Sequence, residues 1–370
     1  MVRKKEKTGE RKMKQRKKAF YENVTLLRVL FIAILVLVIA IAILAIQLVF
    51  GGKNSKSASA SKSSSSQITS ESQSTAENQA AAESQVSSVQ EATVTPTAKS
   101  QQETQMSNEQ VDLTEDSLQS LYGYMVNVSE GSVILEKNAD QIMYPASMTK
   151  VMTVLLALEY LPNRDEMLTV TADTDSLNAE GASMAGFVNG ETVTVRELLY
   201  GAMLPSGADA CITLAERISG SEEAFVELMN QKAEELGMSS THFTNCTGLH
   251  NENHYSSCRD MEKLFETAIQ DENFQIIVGT KEYDCSPNEY HEEGLHFEST
   301  MFSLLDSSTL SNGAEILGGK TGTTDEAGYC LVSYAKYQGD IYILVTAMGQ
   351  YNEEGTHVNI EDAVTAYSAL

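Results

Sequence analysis

Tyr144-Pro-Ala-Ser-Met-Thr-Lys-Val-Met-Thr153 is the stretch on which the reading of this chain turns. Pro145 has no N–H and a preset φ, so it can start a helix but not sit inside one. The residues that follow, Val151–Tyr160, are apolar good helix formers, and this predicts a buried helix. Ser147 then falls in the first turn, where the positive end of the helix dipole favours an alkoxide-like oxygen. Lys150, at i+3, lies on the same face. A serine hydroxyl is a weak nucleophile and needs a base. A lysine can serve when burial or a neighbouring cation lowers its pKa. Ser147 and Lys150 are therefore candidate catalytic residues.

The pattern on either side sets the fold. Upstream, Tyr122–Val128 and Ser132–Glu136 are β-prone runs around Ser129-Glu-Gly131, which reads as a hairpin. Downstream, Val195–Met203, Asp209–Ser219 and Glu222–Leu236 read as helices, the last with Ser221 as its cap. Gly328–Tyr337 and Asp340–Met348 predict a second hairpin turning at Gln338-Gly-Asp340, and Glu361–Ala369 a closing helix. Strands at both ends with helices between them predict an α+β domain, an antiparallel β-sheet flanked by helices, over residues 112–370.

Two more strings complete the candidate site: Ser206-Gly-Ala208 and Lys320-Thr-Gly-Thr323. Such short strings arise by chance, as Ser59-Ala-Ser-Lys62, Lys7-Thr-Gly9 and Ser176-Leu-Asn178 show in this same chain. The longer context is more specific. Asn138-Ala-Asp140 precedes Tyr144–Lys150; Val193–Gly201 leads into Met203-Leu-Pro-Ser-Gly-Ala-Asp-Ala210. Phe243-Thr-Asn245, Gly248-Leu-His250 and His254-Tyr-Ser-Ser257 follow, then Gly319-Lys-Thr-Gly-Thr-Thr-Asp-Glu-Ala-Gly-Tyr329. From about Tyr122 to its end the chain resembles the serine D-alanyl-D-alanine carboxypeptidases. These are low-molecular-mass penicillin-binding proteins of the β-lactamase/transpeptidase-like superfamily.

The resemblance implies a role for each residue. Ser147 would attack the carbonyl of a terminal D-Ala-D-Ala peptide, Lys150 would take its proton, and Ser206 would relay a proton to the departing D-alanine. On the substrate-binding side, Lys320 on an edge strand would add positive charge, Thr321 would hydrogen-bond the substrate carboxylate, and Gly322 would lie between Thr321 and Thr323. The N–H groups of Ser147 and Thr323 would form an oxyanion hole. No cofactor and no metal are implied. The implied partners are peptidoglycan stem peptides ending in D-Ala-D-Ala, and β-lactam antibiotics. One position departs from the family pattern: Ala208 stands where the middle motif usually ends in Asn, whose amide, by the resemblance, would hold the substrate's acyl-side carbonyl and orient Lys150. A weakly active or silent wall-binding relative is therefore one alternative. A β-lactamase is another, but no ExxxN segment that could supply a deacylating glutamate lies between Ser206 and Lys320.

The N-terminal part reads differently. Residues 1–28 carry 11 Lys/Arg and 3 Asp/Glu, about +8, which leaves 15 and 48, about −33, for the rest of the 26 and 51. Residues 29–50 hold no charge and are long enough to cross a bilayer core of about 30 Å as a helix. The basic flank predicts a cytoplasmic tail at 1–28, a transmembrane signal-anchor helix at 29–50 and an outward-facing catalytic domain. A cleaved signal would have a shorter apolar region and an A-x-A-like site after Phe50, where Gly51-Gly-Lys-Asn54 stands instead. Residues 51–111, rich in Ser, Gln and Ala, predict a disordered linker. The acidic remainder argues against nucleic acid as a partner. Cys211, Cys246, Cys258, Cys285 and Cys330 form no CxxC pair, and buried free thiols are expected. His250 and His254 lack an HExxH context and read as part of a loop near the site.

Overall fold

The computed structural model describes residues 113–351 and 356–370. The expected tail, anchor and linker at 1–28, 29–50 and 51–111 lie outside them, and among the described residues no helix is long and apolar enough to cross a membrane. The strands are β1 (Tyr122–Asn127), β2 (Ser132–Lys137), β3 (Met167–Thr169), β4 (Thr192–Thr194), β5 (Glu282–Asp284), β6 (His296–Glu298), β7 (Glu315–Thr324), β8 (Gly328–Tyr337) and β9 (Asp340–Gly349). The helices are α1 (Lys150–Tyr160), α2 (Thr174–Ala179), α3 (Val195–Met203), α4 (Ala208–Ser219), α5 (Glu222–Glu235), α6 (Cys258–Ala268), α7 (Glu272–Gly279) and α8 (Val358–Ser368).

The main sheet has five antiparallel strands in the order β2-β1-β9-β8-β7, and β3/β4 and β5/β6 form separate two-stranded ribbons. Both predicted hairpins are present. At the β8–β9 turn Gln338 and Gly339 have φ of 52° and 104°, the conformation that matches strand twist in a tight hairpin.

Alternation along the strands sorts their side chains to two faces. Tyr124 and Val126 of β1, and Ile343 and Val345 of β9, pack with α1 and α3 to α7 in the larger core. Met125 and Leu344, between them in sequence, face Ile360, Ala363, Ala366 and Tyr367 of α8. The sheet is thus covered by a helical layer on one side and by α8 on the other. Val151–Leu158 of α1 are all buried, so this helix runs through the larger core and meets solvent only at its last two residues. The expected helix ends hold to within one residue, except that α8 begins three residues earlier than Glu361.

Polar capping fixes the joints. Ser221 accepts the N–H of Ala224 at the start of α5, as its sequence position predicts. Asp362, buried in α8, accepts the N–H groups of Gln119 and Ser120 at 2.7 and 2.9 Å, tying the segment before β1 to the last helix. Asp362→Ala leaves those two N–H groups unpaired and is expected to lower unfolding stability by about 2–3 kcal/mol, read from the urea midpoint at unchanged slope. An unchanged midpoint would show that the joint bears no stabilising hydrogen bond.

Candidate active site

The predicted helix start is a 3-10 turn, Ala146–Thr149, running directly into α1, with Pro145 as its cap. A 3-10 turn has about three residues per turn, so side chains at i and i+3 eclipse. Lys150 therefore stands over Ser147, and its Nζ lies 2.9 Å from the Ser147 Oγ. Ser147 is half-buried and Lys150 is 2% exposed. Nζ also donates to the Thr247 carbonyl at 2.5 Å. That carbonyl can only accept, so one N–H is committed to it. In the neutral amine the lone pair is then free for the Ser147 O–H, the arrangement a general base requires. Burial lowers the Lys150 pKa and favours that neutral form.

The loop carrying Thr247 is shaped for this contact. The Asn245 Oδ1 accepts the N–H groups of Thr247 and Gly248 at 3.2 and 2.7 Å, and the Thr153 hydroxyl of α1 donates to the Cys246 carbonyl at 2.6 Å. Gly248 has φ of +84°, and a Cβ there would sit 1.9 Å from the Ala146 carbonyl oxygen. Only glycine lets the loop come so close. His254 supports the turn from behind. Its Nδ1 accepts the Thr244 N–H at 3.0 Å, so its proton is on Nε2, which donates to the Thr149 hydroxyl at 2.7 Å. Burial lowers the His254 pKa to about 3, and the ring stays neutral.

The other sequence-predicted residues converge here. Ser147, Ser206, Thr321, Gly322 and Thr323 line one cavity of about 330 Å³. Ser206 sits in the turn between α3 and α4 with φ of 67°, and its buried hydroxyl has no hydrogen-bond partner among the described residues. β7 is the sheet edge, as expected for Lys320. It passes so close to the 3-10 turn that a Cβ on Gly322 would lie 3.0 Å from the Ser147 nitrogen. Lys320 is 1% exposed and donates to the Thr321 carbonyl at 2.8 Å. Its pKa is pushed well down, first by burial and then by the charge of Lys150. The Thr321 hydroxyl shares a 2.7 Å hydrogen bond with that of Thr300.

Sequence reasoning missed Ser183, Thr300, Ser303, Leu304, His357 and Asn359, which also line the cavity. Each is a single loop or helix-end residue with no periodic signal. Asp209 does not line the cavity. Its carboxylate accepts the N–H groups of Ala185, Gly186 and Phe187 at 2.9, 3.0 and 2.9 Å. The five thiols are buried and free. The loop bearing His250 packs that ring edge-on against Tyr144, with Glu326 at 3.7 Å.

Comparison with known proteins agrees with this geometry. The D-alanyl-D-alanine carboxypeptidase family, peptidase S11, matches residues 104–351. D-alanyl-D-alanine carboxypeptidase DacF of Bacillus subtilis is 38% identical over 230 residues, 61% of this chain and 56% of the relative. The D-alanyl-D-alanine carboxypeptidase of Streptomyces sp. strain K15 is 34% identical over 245 residues, 62% of this chain and 81% of the relative. The chain thus spans little more than half of DacF. The crystal structure of the Streptomyces K15 DD-transpeptidase superposes with a TM-score of 0.60 at 30% identity, covering 68% of this chain and 97% of that one.

Two outcomes follow from the geometry. With Lys150 as base, Ser147 reacts with an acylating probe faster as pH rises and the amine loses its proton. Because burial lowers this pKa, the rate is expected to level off below the ordinary lysine value of 10.5; a rate still climbing through 10.5 would exclude Lys150 as the base. Gly248→Ala displaces the Ser147 turn and is expected to slow the same reaction on the order of a hundredfold. Equal rates would show that the turn yields without moving Ser147.

Proposed function

Because the chain belongs to the D-alanyl-D-alanine carboxypeptidase family, we propose that it removes the terminal D-alanine from peptidoglycan stem peptides through an acyl-enzyme on Ser147. The observation that carries this reading is the buried Lys150 amine 2.9 Å from the Ser147 hydroxyl, on a cavity walled by edge strand β7. The Ser147 Oγ attacks the carbonyl of the D-Ala-D-Ala bond while Lys150 takes the hydroxyl proton. The oxyanion forms between the N–H groups of Ser147 and Thr323; a lost donor there typically weakens transition-state binding by about 3–4 kcal/mol. Ser206, whose hydroxyl has no hydrogen-bond partner among the described residues, takes the proton held by Lys150 as it passes its own to the departing amine, which returns Lys150 to the neutral form. D-alanine leaves, and water then hydrolyses the Ser147 ester with Lys150 again as base.

Thr321 and Lys320 receive the substrate's terminal carboxylate. The same features suit β-lactams, which present a strained amide and a carboxylate, so the chain also binds penicillins covalently. Residues 29–50 anchor it in the lipid bilayer with the N-terminus in the cytoplasm, and residues 51–111 tether the catalytic domain outside.

The test uses the full-length protein with labelled penicillin and, separately, with a D-Ala-D-Ala peptide. A persistent adduct and released D-alanine are expected, both lost in Ser147→Ala. Rapid turnover of the penicillin would instead mark a β-lactamase, and neither adduct nor D-alanine a silent relative. Ala208→Asn restores the family amide and is expected to raise the acylation rate; an unchanged or lower rate would show that the amide is not limiting. Deleting residues 29–50 is expected to move the protein from the membrane to the soluble fraction, and a protein soluble with the segment intact would rule out the anchor.

A further inference from the structure

The side of the cavity that lacks the family's Asn amide is approached by the loop from Ala182 to Val188. Asp209 fixes its course. This carboxylate, fully buried, takes the N–H groups of three successive loop residues and that of Ala210. One residue earlier, the main-chain N–H of Ala208 donates to the Ser183 carbonyl at 2.8 Å. The residue tied directly to the position of the missing amide is therefore Ser183. Its side chain is exposed on the cavity that Ser147 and Ser206 also line, and its hydroxyl makes no hydrogen bond to the described residues. Ala208 is fully buried and has no polar side-chain atom to offer.

We infer that the Ser183 hydroxyl is a substrate contact, donating a hydrogen bond to the acyl-side amide carbonyl of the D-Ala-D-Ala peptide, and to the corresponding side-chain amide of a penicillin. This inference rests on the acyl-enzyme reading above. A hydroxyl suits the task because it rotates to its acceptor and sheds water at lower cost than a charged group. A loop fastened by buried hydrogen bonds holds it in place, whereas a free loop would have to be ordered on binding.

The experiment measures kcat/KM for D-alanine release, the second-order rate of the Ser147–penicillin adduct, and Tm, all in full-length protein. The variants are Ser183→Ala, Ser183→Thr, Ala208→Asn and the double variant Ser183→Ala with Ala208→Asn. Ser183→Ala is expected to lower both rates roughly 5- to 20-fold, the loss of one hydrogen bond made throughout binding and acylation. Tm should not change, because no protein partner is lost. Ser183→Thr should keep most of the rate. With Asn at 208 present, Ser183→Ala should matter little, since the amide then holds the same carbonyl.

Unchanged rates in Ser183→Ala would overturn the inference, as would a lowered Tm or an equal loss in both backgrounds. Should Ala208→Asn fail to fold, the contrast between Ser183→Ala and Ser183→Thr decides alone. A wild-type protein that forms no adduct and releases no D-alanine removes the acyl-enzyme reading and this inference together. An adduct in the wild type that Ser183→Ala leaves untouched removes only the inference.

Discussion

The contact between the Lys150 amine and the Ser147 hydroxyl depends on keeping water out. An ammonium buried without an acidic partner is strongly disfavoured, and among the described residues neither Lys150 nor Lys320 forms an ion pair. The fold answers this by lowering the Lys150 pKa through burial, which favours the neutral amine. It then gives the amine one obligate acceptor in the Thr247 carbonyl and leaves its lone pair for Ser147. The rest of the site serves that geometry. α1 is buried from Lys150 to Leu158 so that its first residue can be dry. Gly248 has no side chain so that its loop can reach the amine. The Asn245 turn and His254 hold that loop without adding a charge, since a neutral imidazole and an amide do the work.

Two backbone positions show that the site is held under load. Ala146 and Ser206 have φ of 46° and 67°, a region that costs non-glycine residues of order 1–3 kcal/mol each. One precedes Ser147 and the other is itself a cavity residue. Both are buried in well-packed surroundings, which is where such strain persists. On the Ser206 side the surroundings include the Asp209 carboxylate. Burial raises its pKa against four backbone N–H groups that lower it.

Helices α1, α3, α4 and α5 and both hairpins were legible in the sequence because each is long enough to show a period of 3.6 or 2. Ribbons β3/β4 and β5/β6 were not, since three-residue strands are too short to display alternation. Helix α6 was missed although its signal was present: Ser257 caps the Asp260 N–H, and Met261, Leu264, Phe265 and Ala268 form one buried face. The Ser147–Lys150 pair was legible as a spacing, and the edge position of Lys320 only through resemblance. Thr247 as the partner of Lys150 was not legible, because a main-chain carbonyl leaves no mark in residue type. Nor was Ser183, which owes its place to hydrogen bonds from residues some 25 positions later in the chain.

Lys320 shows why, on the proposed reading, the substrate must end in a free carboxylate. Its amine is buried and feels the charge of Lys150, so before substrate arrives both effects favour proton loss. A carboxylate on Thr321, beside Lys320, supplies the opposite charge that the site lacks, and this raises the Lys320 pKa. That favours a protonated Lys320, whose positive charge disfavours a second ammonium nearby and so favours the neutral Lys150 that would accept the Ser147 proton. A ligand without the carboxylate would lose more than one ion pair. It would leave two adjacent buried amines competing over which of them is charged, and the base would no longer be separated from the binding cation. On the proposed reading the carboxylate would thus both select the substrate and divide the two lysines into one base and one cation.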